Sequence, residues 1–379
     1  MPSTYPTRPC RVLVAMSGGV DSSTTAYLLK EQGYLCEGAT MRLYDQRTAG
    51  RDSTRACGNE QDIADAAQLC QRLGIPHHVL DYRDIFDEQV IEPFCRAYEE
   101  GLTPNPCAIC NRRVKFGAML SWALSHGFDA IATGHYANVA CDPDGVYRLT
   151  RGVDSKKDQS YFLYSLTQEQ LAHLILPLGP LTKEDEVRAI AAKQGFTCAL
   201  KRDSQGICFV PDNDFATFIE NRRGTHLPHG PIRYTDGQVV GEHTGAIRYT
   251  IGQRKGLGVA LAHPVFVTSI DTRTNTVTLG EADDLLVGAL TTREWVWSAP
   301  AERMQSALAS AGGAGIPVAA KIRYHQQDQA ARMLLEADGK TVRFEFEKPQ
   351  RAVAPGQAVV AYHGDTVLGG GEIAATFKP

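Results

Sequence analysis

The apolar run Arg11-Val12-Leu13-Val14-Ala15-Met16 leads directly into Ser17-Gly18-Gly19-Val20-Asp21-Ser22-Ser23. The first is a buried-strand signature. Residues 21–32 read as a helix, with Ala26, Leu28 and Leu29 apolar and Gly33 as its stop. A strand that meets paired glycines and then a helix start is tightly constrained. The glycines let backbone N–H groups turn toward an anion, and the helix N-terminus adds partial positive charge. Ser17, Ser22 and Ser23 offer hydroxyl donors, and Asp21 can help hold Mg²⁺ against phosphate. No Lys-Ser/Thr pair follows, which excludes the ordinary P-loop that grips a γ-phosphate.

The rest of the first half continues the alternation. A strand is expected at 35–41, a helix at 60–73, a strand at His77–Leu80, a helix at 112–126 and a strand at Asp129–Ala132. Helical patterns follow at 167–175 and 183–194. This order predicts a parallel sheet covered by helices on both faces. After about 210, short alternating segments with Gly-rich turns take over, at 238–241, 246–251 and 265–267. Further strands are expected at 318–324, 330–336, 341–347, 357–362 and 367–376, around a loop at 306–315. The reading is an α/β domain over 1–210, a small β-rich central domain over 211–284 and a C-terminal β-barrel over 285–379.

Charge and cysteine placement limit the function. Thirty-nine Lys plus Arg against forty-three Asp plus Glu give a net charge of -4, which excludes a globally basic nucleic-acid wrapper but allows a local basic groove. No apolar run reaches the roughly 20 residues of a membrane span. The first residues lack a signal-peptide core, so a cytoplasmic location is the expectation. Ten cysteines occur and none lies beyond Cys208, so cysteine chemistry is expected only in the N-terminal part. Cys70 and Cys95 sit in helical patterns and read as small apolar residues.

Two cysteine loops stand out. In Thr103-Pro104-Asn105-Pro106-Cys107-Ala108-Ile109-Cys110-Asn111-Arg112-Arg113-Val114-Lys115, two prolines fix an extended loop before a helix expected near Asn111. Cys110, beside that helix start and three cations, is expected to have a lowered thiol pKa. In Asp203-Ser204-Gln205-Gly206-Ile207-Cys208-Phe209, Gly206 suggests a turn that presents Cys208. Thr133-Gly134-His135-Tyr136 follows a later strand, where ligands of open α/β sheets bind.

The Ser17–Ser23 run and Ala132-Thr133-Gly134-His135-Tyr136 resemble the PP-loop ATP pyrophosphatases (adenine nucleotide α-hydrolase-like fold), which cleave ATP to AMP and pyrophosphate. With both cysteine loops, Lys157-Asp158-Gln159-Ser160-Tyr161-Phe162-Leu163 and Tyr249-Thr250-Ile251-Gly252-Gln253-Arg254, the chain is similar to the bacterial tRNA 2-thiouridylase family from about residue 10 onward. That resemblance implies ATP-dependent exchange of the wobble-uridine C2 oxygen for sulfur. It implies ATP binding by Ala15, Met16, Ser17, Gly18, Gly19, Val20, Asp21, Ser22, Met41 and Gly134, with Mg²⁺. Cys208 would carry a persulfide and Cys110 would be its nucleophile partner, releasing the sulfur or closing a transient disulfide. Asn105, Pro106 and Cys107 would receive the flipped base, with His135, Lys157, Asp158, Gln159, Arg323 and Tyr324 also facing RNA. The partners implied are a tRNA and a sulfur donor, either a cysteine desulfurase or a sulfur-relay protein, with no membrane.

One position departs from the family pattern. Many members carry Asp three residues before the nucleophile, where this chain has Cys107. Two readings follow: Cys107, Cys110 and Cys208 ligate a [4Fe-4S] cluster that binds sulfide, or Cys107 is a spectator of the persulfide route. Basic clusters such as Arg112, Arg113 and Lys115, Arg148 and Arg151, and Arg222 and Arg223 fit a tRNA laid across three domains. The competing functions are an AMP-forming PP-loop ligase acting on a small metabolite and a non-catalytic RNA-binding protein.

Overall fold

The structure, a computed structural model, describes residues 10–44, 60–200, 206–210 and 213–379. Cys57 and the Asp203–Gln205 part of the second cysteine loop lie outside the described residues.

Strand β1 (Arg11–Ala15) runs parallel to β2 (Leu35–Arg42) on one side and to β4 (Ala130–Ala132) on the other. β3 (His77–Asp81) flanks β2, and the short strand Leu174–Ile175 flanks β4, also parallel. Val12, Leu13 and Val14 are fully buried, which is why the run is continuously apolar rather than alternating. On one face Val12 and Val14 pack against Ala26 and Leu29 of helix α1 (Val20–Glu31) and Ala66 and Leu69 of helix α2 (Glu60–Leu73). On the other, Leu13 and Ile131 join a core with Phe86, Phe94, Val114, Phe116 and Met119.

That second face contains helices the sequence patterns did not resolve. Arg83–Phe86, Asp87–Ile91 and Glu92–Glu99 form one helical run whose middle segment is wound as π-helix. The helix expected from residue 112 starts earlier, at Pro106. Pro106–Cys110 is α-helical, Asn111–Met119 is π and Leu120–Ser125 is α again. Asn105 caps the start, its Oδ1 accepting from the Ala108 N–H at 3.3 Å, and Pro106 supplies a first residue preset for the helix.

The chain then crosses to the C-terminal part. The antiparallel strands Ala137–Cys141 and Tyr147–Arg151 leave the parallel sheet, and Thr150 pairs with Thr366. Thr366 belongs to a six-stranded antiparallel barrel. Its strands, in spatial order, are Leu286–Trp297, Val342–Arg351, Gln329–Leu335, Ile316–Lys321, Ala358–His363 and Thr366–Phe377, and the last pairs with the first. A separate four-stranded sheet, Phe266–Asp271, Thr276–Gly280, Gly230–Tyr234 and Val239–His243, lies between them in sequence.

Three local expectations fail for identifiable reasons. Residues 306–315 are not a loop. Ala301–Ala311 is a helix because Ala-rich sequence favours it, and it stops at Gly312. Residues 246–251 are not a strand, since Gly245 at φ 135° turns the chain into the 3₁₀ turn Ala246–Arg248. The helix expected over 167–175 ends at Ala172, and Leu174–Ile175 joins the parallel sheet.

Arg151 locks the first unit to the barrel. Its guanidinium lies 3.8 Å over the Tyr362 ring, donates to Asp328 at 2.5 Å and sits 3.7 Å from Asp158, whose carboxylate is buried. Removing one partner of a buried ion pair costs several kcal/mol because the other charge stays buried. Asp158 keeps hydrogen bonds from Gly152 N, Ser160 N and Ser160 Oγ, so the cost is moderated. Arg151→Leu should therefore lower the unfolding free energy by about 2 kcal/mol, read from urea midpoints.

Candidate functional site

The phosphate-type loop sits at the carboxyl end of β1, and its shape is fixed from within. Ser22 Oγ accepts from the Ser17 N–H at 3.2 Å and donates to the Gly19 carbonyl at 3.1 Å. Ser23 Oγ donates to the same carbonyl at 2.8 Å. The buried hydroxyls of Ser22 and Ser23 thus buttress the loop rather than face outward, while Ser17 is exposed. Gly19 begins α1 without a side-chain cap, so the N–H groups of a twelve-residue helix's first turn point into the loop.

The two key glycines are required by packing inside the protein. Gly18 has φ +68°, and a Cβ there would lie 2.8 Å from the Asp62 carbonyl oxygen. A Cβ on Gly134 would lie 2.8 Å from Asp21 Cβ and 3.1 Å from Ser22 N. The end of β4 therefore abuts the start of α1 directly, and Gly134 permits that abutment.

Asp21 is the node of the site. Its Oδ1 accepts from Tyr136 Oη and its Oδ2 from Lys183 Nζ, both at 2.7 Å. Lys183 is only 4% exposed and lies 5.7 Å from the Tyr136 ring centroid. Sequence reasoning missed Lys183, whose one signal was a lysine at a helix start after Leu181-Thr182. The Asp21 side chain is 30% exposed, and a carboxylate oxygen has two acceptor directions, so it can also accept from a cation.

His135 is buried, at 9% exposure. Its Nδ1 is 2.7 Å from Thr133 Oγ1, and its ring is 5.9 Å from Phe116. Burial drives its pKa well below the ordinary 6.5, and the nearby Lys115 charge acts in the same direction. It is a largely buried imidazole at the end of β4, with its proton affinity reduced by burial.

The cysteine helix is tied to the Phe162 turn and to the core. Asn111 is 3% exposed, and its Nδ2 donates to the Phe162 carbonyl at 3.1 Å. Its buried Oδ1 has no hydrogen-bond partner. Cys110 is 9% exposed and belongs to the core that includes Val114 and Phe116, whereas Cys107 is exposed. Cys110 lies one turn inside the helix, because the helix begins at Pro106 rather than near Asn111. Thr103, just upstream, is gripped by the barrel: its N–H donates to the Pro355 carbonyl at 2.9 Å, and its own carbonyl accepts from Gln357 Nε2 at 3.1 Å.

Cys208 is held by its neighbour. Phe209 packs edge-on against Phe86 and Phe94, with centroids 5.6 and 5.1 Å apart. Tyr44, just beyond β2, donates its hydroxyl to the Cys208 carbonyl at 3.2 Å. Met41, Tyr44 and Cys208, all partly buried, pack on the core that contains Cys110. Cys110 thus lies in, and Cys208 packs against, one core that includes Leu13 of β1, the strand whose carboxyl end carries the Asp21 loop. Among the described residues no group of three or more His, Cys, Asp or Glu side chains stands arranged to hold a metal ion. As placed, Cys107, Cys110 and Cys208 do not fit a cluster site.

Other residues expected to face RNA have work inside the fold. Asp158 is 5% exposed and caps the Ser160 turn. Gln159 brackets Tyr136, its Oε1 accepting from the Tyr136 N–H at 3.1 Å. Arg323 donates to the Ala352 carbonyl, and Tyr324 packs on Phe162 at 4.4 Å. Lys157 is partly exposed at a turn whose N–H donates to the Asp154 carbonyl at 3.0 Å. Of the basic clusters, Arg222 and Arg223 are bound to Asp87, Glu92 and Glu99, Arg148 pairs with Asp142, and Arg112 lies 3.9 Å from Glu294. No helix among the described residues is long and apolar enough to cross a membrane.

Three family profiles match in series. One described as a tRNA methyl transferase HUP domain covers residues 10–212, a tRNA methyl transferase PRC-barrel domain covers 216–281, and an aminomethyltransferase beta-barrel domain covers 287–373. The chain is 48% identical to the tRNA-specific 2-thiouridylase MnmA of Moorella thermoacetica over 95% of its length and 98% of the relative. It is 47% identical to the protein of that name from Carboxydothermus hydrogenoformans, over 96% and 97%. Among solved structures, NMN synthetase from Francisella tularensis shares 14% identity at a TM-score of 0.33, covering 58% of this chain and 79% of that one.

Burial of His135 carries a pH signature. Its folded pKa is depressed, so protons bind the unfolded chain preferentially below 6.5, and stability falls as pH drops through that range. The slope from this group is at most about 1.4 kcal/mol per pH unit. Replacing His135 with Gln should flatten the stability-versus-pH curve between pH 6.5 and 5, measured by urea unfolding at several pH values.

Proposed function

This chain belongs to the MnmA family of tRNA-specific 2-thiouridylases, and from that premise we propose how its residues divide the reaction. The protein is a tRNA-uridine 2-sulfurtransferase that uses ATP. The observation that supports this division of labour is that Cys110 lies in, and Cys208 packs against, one core shared with β1, the strand that leads into the Asp21 loop.

The uracil C2 carbonyl is a poor electrophile. Attack of its oxygen on the ATP α-phosphorus releases pyrophosphate and turns that oxygen into part of an AMP leaving group. Ala15 to Ser22, with Met41 and Gly134 alongside, form the nucleotide cradle, and the N–H groups at the start of α1 receive phosphate oxygens. Mg²⁺, held at Asp21, would supply charge neutralisation on the phosphates. Lys183 fixes the Asp21 carboxylate and keeps a positive charge beside the leaving pyrophosphate.

Sulfur arrives on Cys208 as a persulfide from an external donor, a cysteine desulfurase or a sulfur-relay protein, and partial exposure leaves that thiol reachable. The Cys110 thiolate attacks the inner sulfur of the persulfide. Hydrosulfide leaves, and a Cys110–Cys208 disulfide forms. Hydrosulfide adds to the adenylated C2, AMP departs, and C2 keeps the sulfur. The extruded wobble base enters beside Asn105, Pro106 and Cys107, while Asp158, Gln159 and Arg323 hold the frame behind it. Lys157 and Tyr324 stand at the rim of this frame.

A metabolite-specific ligase would make AMP without either thiol. Cys110→Ser and Cys208→Ser should each lower 2-thiouridine formation by about 10³-fold or more while leaving tRNA-dependent pyrophosphate release. Mass spectrometry of nucleosides from tRNA incubated with ATP, a persulfide source and each variant reads this, and full thiolation by Cys208→Ser would refute it. Lys183→Met should cut both pyrophosphate release and thiolation by about 100-fold, because a preorganised charge at the phosphates is lost.

A further inference from the structure

Cys107 and Cys110 lie three residues apart on one short helix, Pro106–Cys110, but in opposite environments. Cys107 is exposed to solvent, and Cys110 is 9% exposed in the core. A Cys110–Cys208 disulfide therefore has one buried and one partly buried sulfur, whereas a Cys107–Cys110 disulfide has one sulfur fully at the surface. Spacing permits the second bond. Helical residues three apart have Cβ atoms roughly 5–6 Å apart, against about 3.5–4.5 Å in a disulfide. A shift of only an ångström or two is needed. The local backbone can yield it, since the helix starts right after a Pro-containing loop and changes from α to π winding at Asn111.

We propose that Cys107 is the resolving thiol of the sulfur-transfer cycle. This rests on the reading above, in which one turnover leaves Cys110 joined to Cys208. The Cys107 thiolate attacks Cys110 Sγ. The Cys107–Cys110 bond forms, the Cys110–Cys208 bond breaks, and the electron pair leaves on Cys208 sulfur, which takes up the proton that Cys107 gave up. Net oxidation state is unchanged, because one disulfide and one thiol give one disulfide and one thiol. Cys208 is then free to accept the next persulfide sulfur. An external thiol attacks the exposed Cys107 sulfur, and a second equivalent completes reduction, returning both cysteines and releasing the oxidised thiol as its own disulfide. The helix thus moves the oxidising equivalent from a buried and a half-buried sulfur to a bond with one sulfur at the surface.

The test uses the full chain with unmodified tRNA, ATP and a persulfide donor, first without added thiol. The wild-type protein should form about one 2-thiouridine per chain, and alkylation followed by non-reducing peptide mass mapping should find Cys107 bonded to Cys110. In Cys107→Ser the bond found should be Cys110–Cys208, and turnover under limiting glutathione should fall about tenfold or more. A lasting Cys110–Cys208 bond in the wild type, no disulfide after product has formed, or wild-type turnover by Cys107→Ser would each overturn the proposal. An absence of any 2-thiouridine from the wild type would instead strike the underlying function. Iron and sulfide content, measured on the same anaerobic preparation, adds a further check: a stoichiometric cluster that persists through turnover with all three thiols as ligands would also overturn it.

Discussion

The carboxylate of Asp21 joins three stretches of chain that are far apart in sequence. Tyr136 and Lys183 each donate to one of its oxygens, so the phosphate-type loop, the end of β4 and the helix start at Lys183 are fixed relative to one another. The arrangement is tight because Gly134 lets the backbone of one stretch touch the first turn of the other. A nearly buried lysine is costly unless its charge is matched, and Asp21 matches it. The result is a paired carboxylate and ammonium with little freedom to relax at the mouth of the loop.

The thiols depend on a second constraint, imposed from outside the α/β unit. The barrel grips the backbone of Thr103, and the barrel carbonyl of Ala358 accepts from Tyr161 Oη at 2.9 Å. Gly356 is part of this fit, since a Cβ there would lie 2.7 Å from Thr103 N. The helix that carries Cys107 and Cys110 is thus hung between the parallel sheet and the barrel. The barrel therefore fixes the position of a loop in the α/β unit.

The same logic changes the meaning of charge. Arg151, Arg222, Arg223 and Arg148 look like a basic face when read in one dimension, yet acidic partners from elsewhere in the chain occupy them. Asp158 and Arg323 likewise hold turns and carbonyls in place. A residue essential to a site can be one that holds the substrate-facing surface still.

Short-range physics made the first part of this protein legible in its sequence. The period-free apolar run of β1, the paired glycines and the helix behind them report local conformational needs, and those needs are met by neighbours a few residues away. Helix α2 and the barrel strands could be read for the same reason. The π-wound helix at Asn111 could not, because its winding reflects packing on the Phe162 turn and the core. Nor could the Lys183–Asp21 pair, formed across 162 positions of chain, or the grip on Thr103 by residues 252 and 254 positions downstream. The amino-acid order determined which groups are chemically able; only the folded chain decided which are buried, paired or open to solvent, because burial and pairing depend on partners that sequence spacing does not encode.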